Sequence, residues 1–208
     1  MVKPDHAEAL ERLLAADPKL ALLIERVGPC RLEIRSKLNL YESLFRSIIY
    51  QQLAGKAAAS ILTKVQGLFP NKPNGFPSPA QILDASEELL RSGGLSRNKM
   101  LAIKDLARKT VDGIVPTRAE ARWLTDGELI ERLTAIRGVG VWTVEMLLIF
   151  GLGRPDILPV TDYGVRKGFQ LTFKTRELPN AKQLLRRGEK WRPHRSIASW
   201  YLWRALEL

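Results

Sequence analysis

The chain of 208 residues has little of what disulfide-bonded, zinc-binding and membrane proteins need. Cys30 is its only cysteine, so no disulfide can form within the chain, which fits a reducing compartment. His6 and His194 lie far apart with no second cysteine, so a zinc site is not expected. No apolar run reaches the roughly 18 residues of a membrane span, and the N-terminus lacks a signal-peptide core. These absences predict a soluble, intracellular protein with no membrane partner.

Positive charge is what the chain has in excess. The formal net charge is +11, and residues 163–204 contain 11 lysines and arginines against two acidic residues. A field of this sign attracts a polyanion, so DNA, RNA or an anionic surface is the expected partner, with a merely solvated basic face as the alternative. The apolar content of 45% is enough for the core of one or two closely packed subdomains.

Apolar residues recur at helical spacing along the chain, and sustained period-2 alternation is absent, which predicts an all-α fold. Polar residues that suit helix N-caps precede four of the apolar stretches. These predicted caps are Asn39, Ser78, Ser96 and Thr125. We expect Gly93-Gly94 to end the helix that Ser78 begins. Four prolines and one glycine in residues 70–79 favour a connection between subdomains there.

The most informative segment is a glycine turn between two apolar helical runs, Gly138-Val139-Gly140. The two glycines allow a tight turn and a close approach of another backbone, and N–H groups at a helix start suit a phosphate. Residues 144–150 are apolar almost all round, as in a helix buried at the centre of a bundle. Such a helix would hold the turn at one end and the loop ending in Asp162 at the other.

This order of hairpin, buried helix, acidic loop and further helix resembles the helix-hairpin-helix (HhH-GPD) DNA glycosylase superfamily. Trp142 followed by Thr143, and Tyr163 directly after Asp162, are similar to the 3-methyladenine DNA glycosylase II branch, which excises alkylated purines. The resemblance covers roughly residues 28–207. It implies a single domain over residues 1–208 with two intertwined helical subdomains, an active-site cleft between them, and the helix-hairpin-helix motif at about 128–153.

The resemblance assigns the catalytic role to Asp162. Cutting an N-glycosidic bond builds positive charge on the sugar, and a fixed carboxylate stabilises that charge and can orient the attacking water. An aspartate at a junction between loop and helix is also a common N-cap. The two roles are compatible.

Position 142 separates two classes of glycosylase. Relatives that also cut the strand carry a lysine two residues after the second hairpin glycine, whereas this chain has Trp142. The resemblance therefore implies a monofunctional enzyme that leaves an abasic site and has no lyase activity. An aromatic ring at this position can stack on an extruded base, and cation–π attraction favours a cationic, alkylated one.

The resemblance implies a pocket for the flipped base. Its predicted members are Trp142, Tyr163, Trp203, Met146 and Tyr50. Trp200 and Trp203 stand three apart on the last helix, where core packing is the alternative role, and one of the two is expected to pack inside.

DNA contacts are implied at two places. At the hairpin they comprise Arg137, Gly138, Val139, Gly140 and Thr143. Gln52 or Leu53, in a Gln-Gln-Leu segment, is the expected wedge that fills the gap left by the extruded nucleotide. The alternative for the glutamine pair is capping of helix carbonyls. Ser96 and Lys99 also fit a loop of the family, but Ser-x-x-Lys at a helix start is common and does not indicate a serine nucleophile.

No cofactor is expected for the chemistry. The resemblance implies an alkali ion, Na⁺ or K⁺, at the carbonyls of Thr134, Ile136 and Val139, and one cysteine cannot build the four-cysteine iron–sulfur cluster of some relatives. The expected protein is a monomer acting on double-stranded DNA with damaged bases such as 3-methyladenine or 7-methylguanine. It would work in the nucleoid-containing cytoplasm of a bacterium or in a eukaryotic nucleus. A glycosylase for deaminated or mismatched bases and a non-catalytic, structure-specific DNA-binding protein are the two alternatives.

Overall fold

The computed structural model describes residues 6–34, 38–70 and 75–208. Within these ranges the chain is helical and has no β-strand, which confirms the predicted all-α class. Two compact units divide it: one contains residues 38–70 and 75–147, the other residues 6–34 and 148–208. None of the helices in the described ranges combines the length and apolar character of a membrane span.

The unit formed by residues 38–147 contains eight helices in its described part. They are α3 (Leu40–Tyr50), α4 (Gly55–Gly67), α5 (Pro79–Asp84), α6 (Glu87–Ser92), α7 (Arg97–Val111), α8 (Arg118–Ala121), α9 (Asp126–Thr134) and α10 (Val141–Met146). Apolar residues of α3 and α7 form much of its core. Those buried completely include Leu44, Phe45, Ile48, Met100 and Ile103.

Side-chain caps fix where these helices begin. The Asn39 Oδ1 accepts from the Glu42 amide at 2.8 Å, and the Glu42 carboxylate accepts from the Asn39 amide at 3.0 Å. Equivalent reciprocal pairs begin α5 and α9, and Ser96 caps α7. All four predicted N-caps are therefore confirmed. The single helix expected between Ser78 and Gly93 is wrong, because Ser86 caps a second helix and the chain bends between α5 and α6.

The predicted subdomain connection at residues 70–79 is also wrong, because both flanks of this stretch belong to the same unit. Its described part packs against α3. The Tyr41 hydroxyl donates to the Pro77 carbonyl at 3.1 Å, and the Phe76 ring meets the Phe45 ring edge to face at 5.8 Å. The described residues 75–79 are therefore packed on their own unit rather than forming a linker between units.

The second unit is built from both ends of the described chain. Its α-helices are α1 (Ala7–Ala16), α2 (Pro18–Val27), α11 (Tyr163–Phe173), α12 (Ala181–Gly188) and α13 (Arg195–Arg204), and the 3-10 helices Glu189–Trp191 and Ala205–Glu207 follow α12 and α13. At Gly168 the backbones of α11 and α13 approach so closely that an added Cβ would overlap the Leu202 carbonyl. This contact fixes α11 against α13.

A buried carboxylate ties the first two helices to α12. The Asp17 side chain is fully buried and accepts two hydrogen bonds from the Arg187 guanidinium and one of 3.0 Å from the Trp191 indole. Burial acts to raise the pKa of Asp17, but the bonds from Arg187 and Trp191 outweigh it and hold that pKa below its usual value. The ion pair is compensated at both ends, as a buried charge requires.

The apolar run at residues 144–150 does not form one regular helix. The α-helical geometry of α10 ends at Met146, and Leu147–Leu152 continues with π-helical hydrogen bonding. Val144, Leu148 and Ile149 are completely buried, so the predicted burial of the run is confirmed. Short π-helical stretches often occur near functional sites because they redirect side chains within a helix.

Candidate functional site

The glycine turn joins α9 to α10. Gly138 has φ +75°, a left-handed conformation that favours glycine, whereas Gly140 is extended at φ −95° and serves as the N-cap of α10. The Arg137 amide donates to Asp105 at 2.7 Å, and the Val139 amide donates to the Ile136 carbonyl at 3.0 Å. These two amides are engaged within the protein. Gly138 and Gly140 are exposed, so their amides remain the candidates for the predicted phosphate contact.

The loop after α3 carries the predicted wedge residues. Gln52 and Leu53 are exposed, and Gln52 has φ +57°, which costs a non-glycine residue about 1 kcal/mol. The Gln51 side chain donates to the Gly138 carbonyl at 2.8 Å, which joins this loop to the hairpin. The alternative role of the glutamine pair was to cap carbonyls of its own helix. The side-chain amide of Gln51 instead binds the hairpin.

A cavity of about 500 Å³ lies beside the hairpin and the wedge loop. Its lining residues are Ser47, Tyr50, Gln51, Gln52, Gly138, Gly140, Trp142, Thr143 and Met146. The volume is in the range of small-molecule sites. The structure thus brings together three of the predicted pocket residues, Tyr50, Trp142 and Met146, with both predicted DNA-contact segments of this unit.

Two aromatic rings line this cavity, those of Tyr50 and Trp142. The Arg46 guanidinium lies 4.2 Å from the centre of the Tyr50 ring, so one face of Tyr50 already holds a cation. Trp142 is 47% exposed. This exposure makes Trp142 a candidate for stacking on a base. Arg46 carried no signal in the sequence, since an arginine one turn before a tyrosine is ordinary on a helix.

In the other unit, Asp162 begins α11. Its Oδ1 accepts from the Val165 amide at 2.7 Å and from the Trp203 indole N–H at 2.8 Å. The bond from the Val165 amide confirms the N-cap interpretation of Asp162. The bond from the Trp203 indole comes from α13 and is not part of a helix cap. The Trp203 ring stacks on Phe150 with centroids 5.7 Å apart, so the indole is held from two sides. The carboxylate is fixed in orientation.

Gly164 makes room for this arrangement. A Cβ at this position would lie 2.7 Å from Cδ1 of Trp203 and 3.1 Å from Oδ1 of Asp162. Sequence reasoning missed both Gly164 and Phe150. A glycine two residues into a helix, just after the aspartate, was the available signal for Gly164, because glycine there is otherwise unfavourable.

The remaining predicted site residues fall in different environments. Tyr163 is 64% exposed at the start of α11. Trp200 is buried and meets Tyr201 edge to face, so one of the two tryptophans packs inside, as expected. Val139 and Thr143 are buried, at 4% and 6% exposure, and Thr143 lines the cavity beside the hairpin. The Val139 amide also donates to the Ile136 carbonyl. The DNA contacts of Val139 and Thr143 stay predictions.

The carbonyls expected to hold an alkali ion lie at the end of α9 and in the turn. The α-helix α9 ends at Thr134, and the Ile130, Glu131 and Leu133 carbonyls of its last turns accept from Thr134 Oγ1 or the Ile136 amide. The Ile136 carbonyl accepts one amide and retains a second lone pair. Neutral main-chain oxygens are the ligands that alkali ions take in proteins, so these residues fit the group. Among the described residues, no cluster of three or more His, Cys, Asp or Glu side chains could hold a metal ion.

A family model described as HhH-GPD superfamily base excision DNA repair protein matches residues 45–194. The chain belongs to this superfamily. DNA-3-methyladenine glycosylase 1 of Schizosaccharomyces pombe is 40% identical over 168 residues, which cover 81% of this chain and 73% of the relative. The resemblance stated from the sequence is thereby confirmed.

Solved structures agree with the family. A structure of 3-methyladenine DNA glycosylase (Mag1) of S. pombe in complex with abasic DNA has a TM-score of 0.81 and 38% identity, with 97% of this chain and 98% of that chain covered. A DNA-3-methyladenine glycosidase from Bacillus halodurans has a TM-score of 0.85 and 33% identity, with 98% and 89% covered.

Proposed function

We propose that this protein is a monofunctional DNA glycosylase that excises alkylated purines, such as 3-methyladenine and 7-methylguanine, from duplex DNA and so begins base excision repair. The observation that carries the proposal is the carboxylate of Asp162, held by the Val165 amide and the Trp203 indole in a member of the HhH-GPD superfamily. The 40% identity to a DNA-3-methyladenine glycosylase supports the substrate class.

In the proposed reaction, the carboxylate of Asp162 faces the positive charge that develops on the sugar as the base departs. A carboxylate held by two donors does not have to reorganise during the reaction, which is how a fixed charge lowers a barrier. The same group can orient the attacking water. An alkylated purine is already cationic and leaves readily, so the protein does not need a strong general acid.

Trp142 supplies the proposed aromatic surface for the base. Its half-exposed indole lines the cavity with Tyr50 and Met146, and an electron-rich ring attracts a cationic base more than a neutral one. Because an indole cannot form a Schiff base with the sugar, the proposed product is an intact strand with an abasic site.

The hairpin and the wedge loop are the proposed DNA anchors. The exposed amides of Gly138 and Gly140 would bind a backbone phosphate, with the Arg137 side chain adding charge, and Gln52 or Leu53 would fill the gap in the stack. The carbonyls of Thr134, Ile136 and Val139 would hold an alkali ion. Its chemistry there is to bring positive charge to the hairpin beside the DNA backbone.

DNA is the proposed partner, which the charge of +11 and the relative bound to abasic DNA support. We further propose a monomer that acts on duplexes with damaged bases. Its place of action would be the bacterial nucleoid or the eukaryotic nucleus.

Base release from four duplexes tests the proposal. One is methylated with a simple alkylating agent, and the others contain uracil, hypoxanthine or a mismatched thymine. We expect 3-methyladenine and 7-methylguanine to be released and the other three duplexes to react slowly or not at all. Release of only deaminated or mismatched bases would contradict the proposed substrate class and favour the alternative glycosylase. Tight binding to all four duplexes without release of any base would make the protein a non-catalytic binder.

A further inference from the structure

A lysine on α7 holds the loop that follows α3. The Lys99 ammonium donates to the Ile49 carbonyl at 2.6 Å and to the Gln51 carbonyl at 2.9 Å. Both carbonyls lie at the C-terminal end of α3, where main-chain oxygens lack intrahelical partners and the helix dipole is negative. A cation is therefore the group that stabilises this helix end best.

The position of Lys99 is unfavourable for its own helix. Ser96 is the N-cap of α7, so Lys99 stands in the first turn, where the helix dipole disfavours positive charge. The Lys99 side chain is also partly buried, and this burial lowers its pKa. A residue that destabilises its own helix is expected to make a stabilising contact elsewhere in the fold. That contact is the end of α3.

The same loop is tied to the hairpin by a second bond. While Lys99 holds the Gln51 carbonyl, the Gln51 side chain donates to the Gly138 carbonyl at 2.8 Å. Directly after this doubly held residue, Gln52 takes its left-handed conformation and Leu53 is exposed. The ammonium thus fixes the residue from which the wedge segment leaves α3.

We propose that Lys99 is a positioning residue for base extrusion: it holds the loop so that Gln52 and Leu53 enter the duplex in register with the hairpin. The inference rests on the proposed glycosylase function and extends it to a residue that touches neither the base nor the sugar. The consequence is selective. A paired lesion needs the wedge, whereas an unpaired lesion leaves the stack at less cost and depends on it less.

Lys99→Met tests this, with Lys104→Met as the matched control. Lys104 also lies on α7 and donates to a carbonyl at a helix end, that of Ala85 at 2.8 Å, but it has no link to the wedge loop. Single-turnover excision of 7-methylguanine is measured opposite cytosine and opposite an abasic site. For Lys99→Met we expect the ratio of the paired to the unpaired rate to fall by about tenfold, the effect of losing bonds from a charged donor. Lys104→Met should leave the ratio unchanged.

Two further variants complete the design. Lys99→Arg, which can donate to both carbonyls, should restore the ratio. Lys99→Gln, whose side chain is neutral and shorter, should lower the ratio in the same direction and decides the matter if Lys99→Met does not fold. An unchanged ratio in Lys99→Met or Lys99→Gln, with normal wild-type excision, would overturn the role of Lys99 alone. No excision by the wild type on either duplex would overturn the proposed function together with it.

Discussion

The bond between the Trp203 indole and Asp162 gives a prediction whose size can be worked from the structure. Trp203→Phe removes the 2.8 Å N–H donor and keeps an aromatic ring to stack on Phe150. A hydrogen bond to a charged group contributes about 1.5 to 3 kcal/mol, and this half-buried pair belongs at the low end of that range. A loss of about 1.5 kcal/mol in transition-state stabilisation lowers the excision rate by about tenfold.

The assay is single-turnover release of 7-methylguanine, with DNA affinity measured separately by titration. The affinity should change little, because the bond orients a carboxylate and does not contact a phosphate. Trp191→Phe is the matched control, since it removes the same kind of bond, from an indole to Asp17. It should lower the melting temperature and leave the rate per folded molecule unchanged. A folded Trp203→Phe that excises at the wild-type rate would refute the orienting role of Trp203.

Three other changes probe the same account. Gly164→Ala places a Cβ 2.7 Å from the Trp203 ring, so it should displace the indole and lower single-turnover excision by about tenfold or more while DNA titrations stay near wild type. Asp17→Asn leaves the Arg187 charge without its buried partner and should cost about 3 kcal/mol of stability at pH 7, measured by denaturant unfolding. Gly140→Val should fold normally, because φ is −95° and nothing lies within 4 Å of its Cβ, yet weaken binding to damaged and undamaged duplexes alike in titrations over a salt series.

The pH dependence of the Asp17 variant has a definite sign. The pKa of Asp17 is held below its unfolded value, so its contribution to stability is present above about pH 4 and is lost as the carboxylate protonates at lower pH. The gap in melting temperature between wild type and Asp17→Asn should therefore narrow as pH falls from 7 toward 3. A gap that stays constant over this range would contradict the assignment.

Unchanged excision by Gly164→Ala would contradict the prediction for that variant. Unchanged DNA affinity of Gly140→Val would contradict the other.

Features set by neighbouring residues could be predicted from the sequence. The N-caps at Asn39, Ser78 and Thr125 depend on a side chain three residues away, and each was found as expected. Asp162 as the start of a helix belongs to the same class. Ser86, the N-cap of α6, was missed because no glycine or proline separates it from the preceding helix.

Features set by distant residues could not be predicted. Residues 70–79 have the composition of a linker, but the Phe76 ring packs on Phe45, and the described residues of this stretch belong to one unit. The bonds from Lys99 to carbonyls about 50 residues away, and from Trp203 to Asp162 over 41 residues, depend on tertiary packing that no local pattern encodes. The family resemblance supplied the residues of the site but not the bonds that orient them.

The central claim is that Asp162 performs chemistry on an alkylated purine, and Asp162→Asn tests it most directly. Single-turnover release of 7-methylguanine and binding of the same duplex are measured on one preparation of each protein. Asparagine can still accept from the Val165 amide as an N-cap, so the variant should fold and bind DNA as the wild type does. We predict that its excision rate falls by about 100-fold or more. Near-normal turnover by the folded variant would contradict the account.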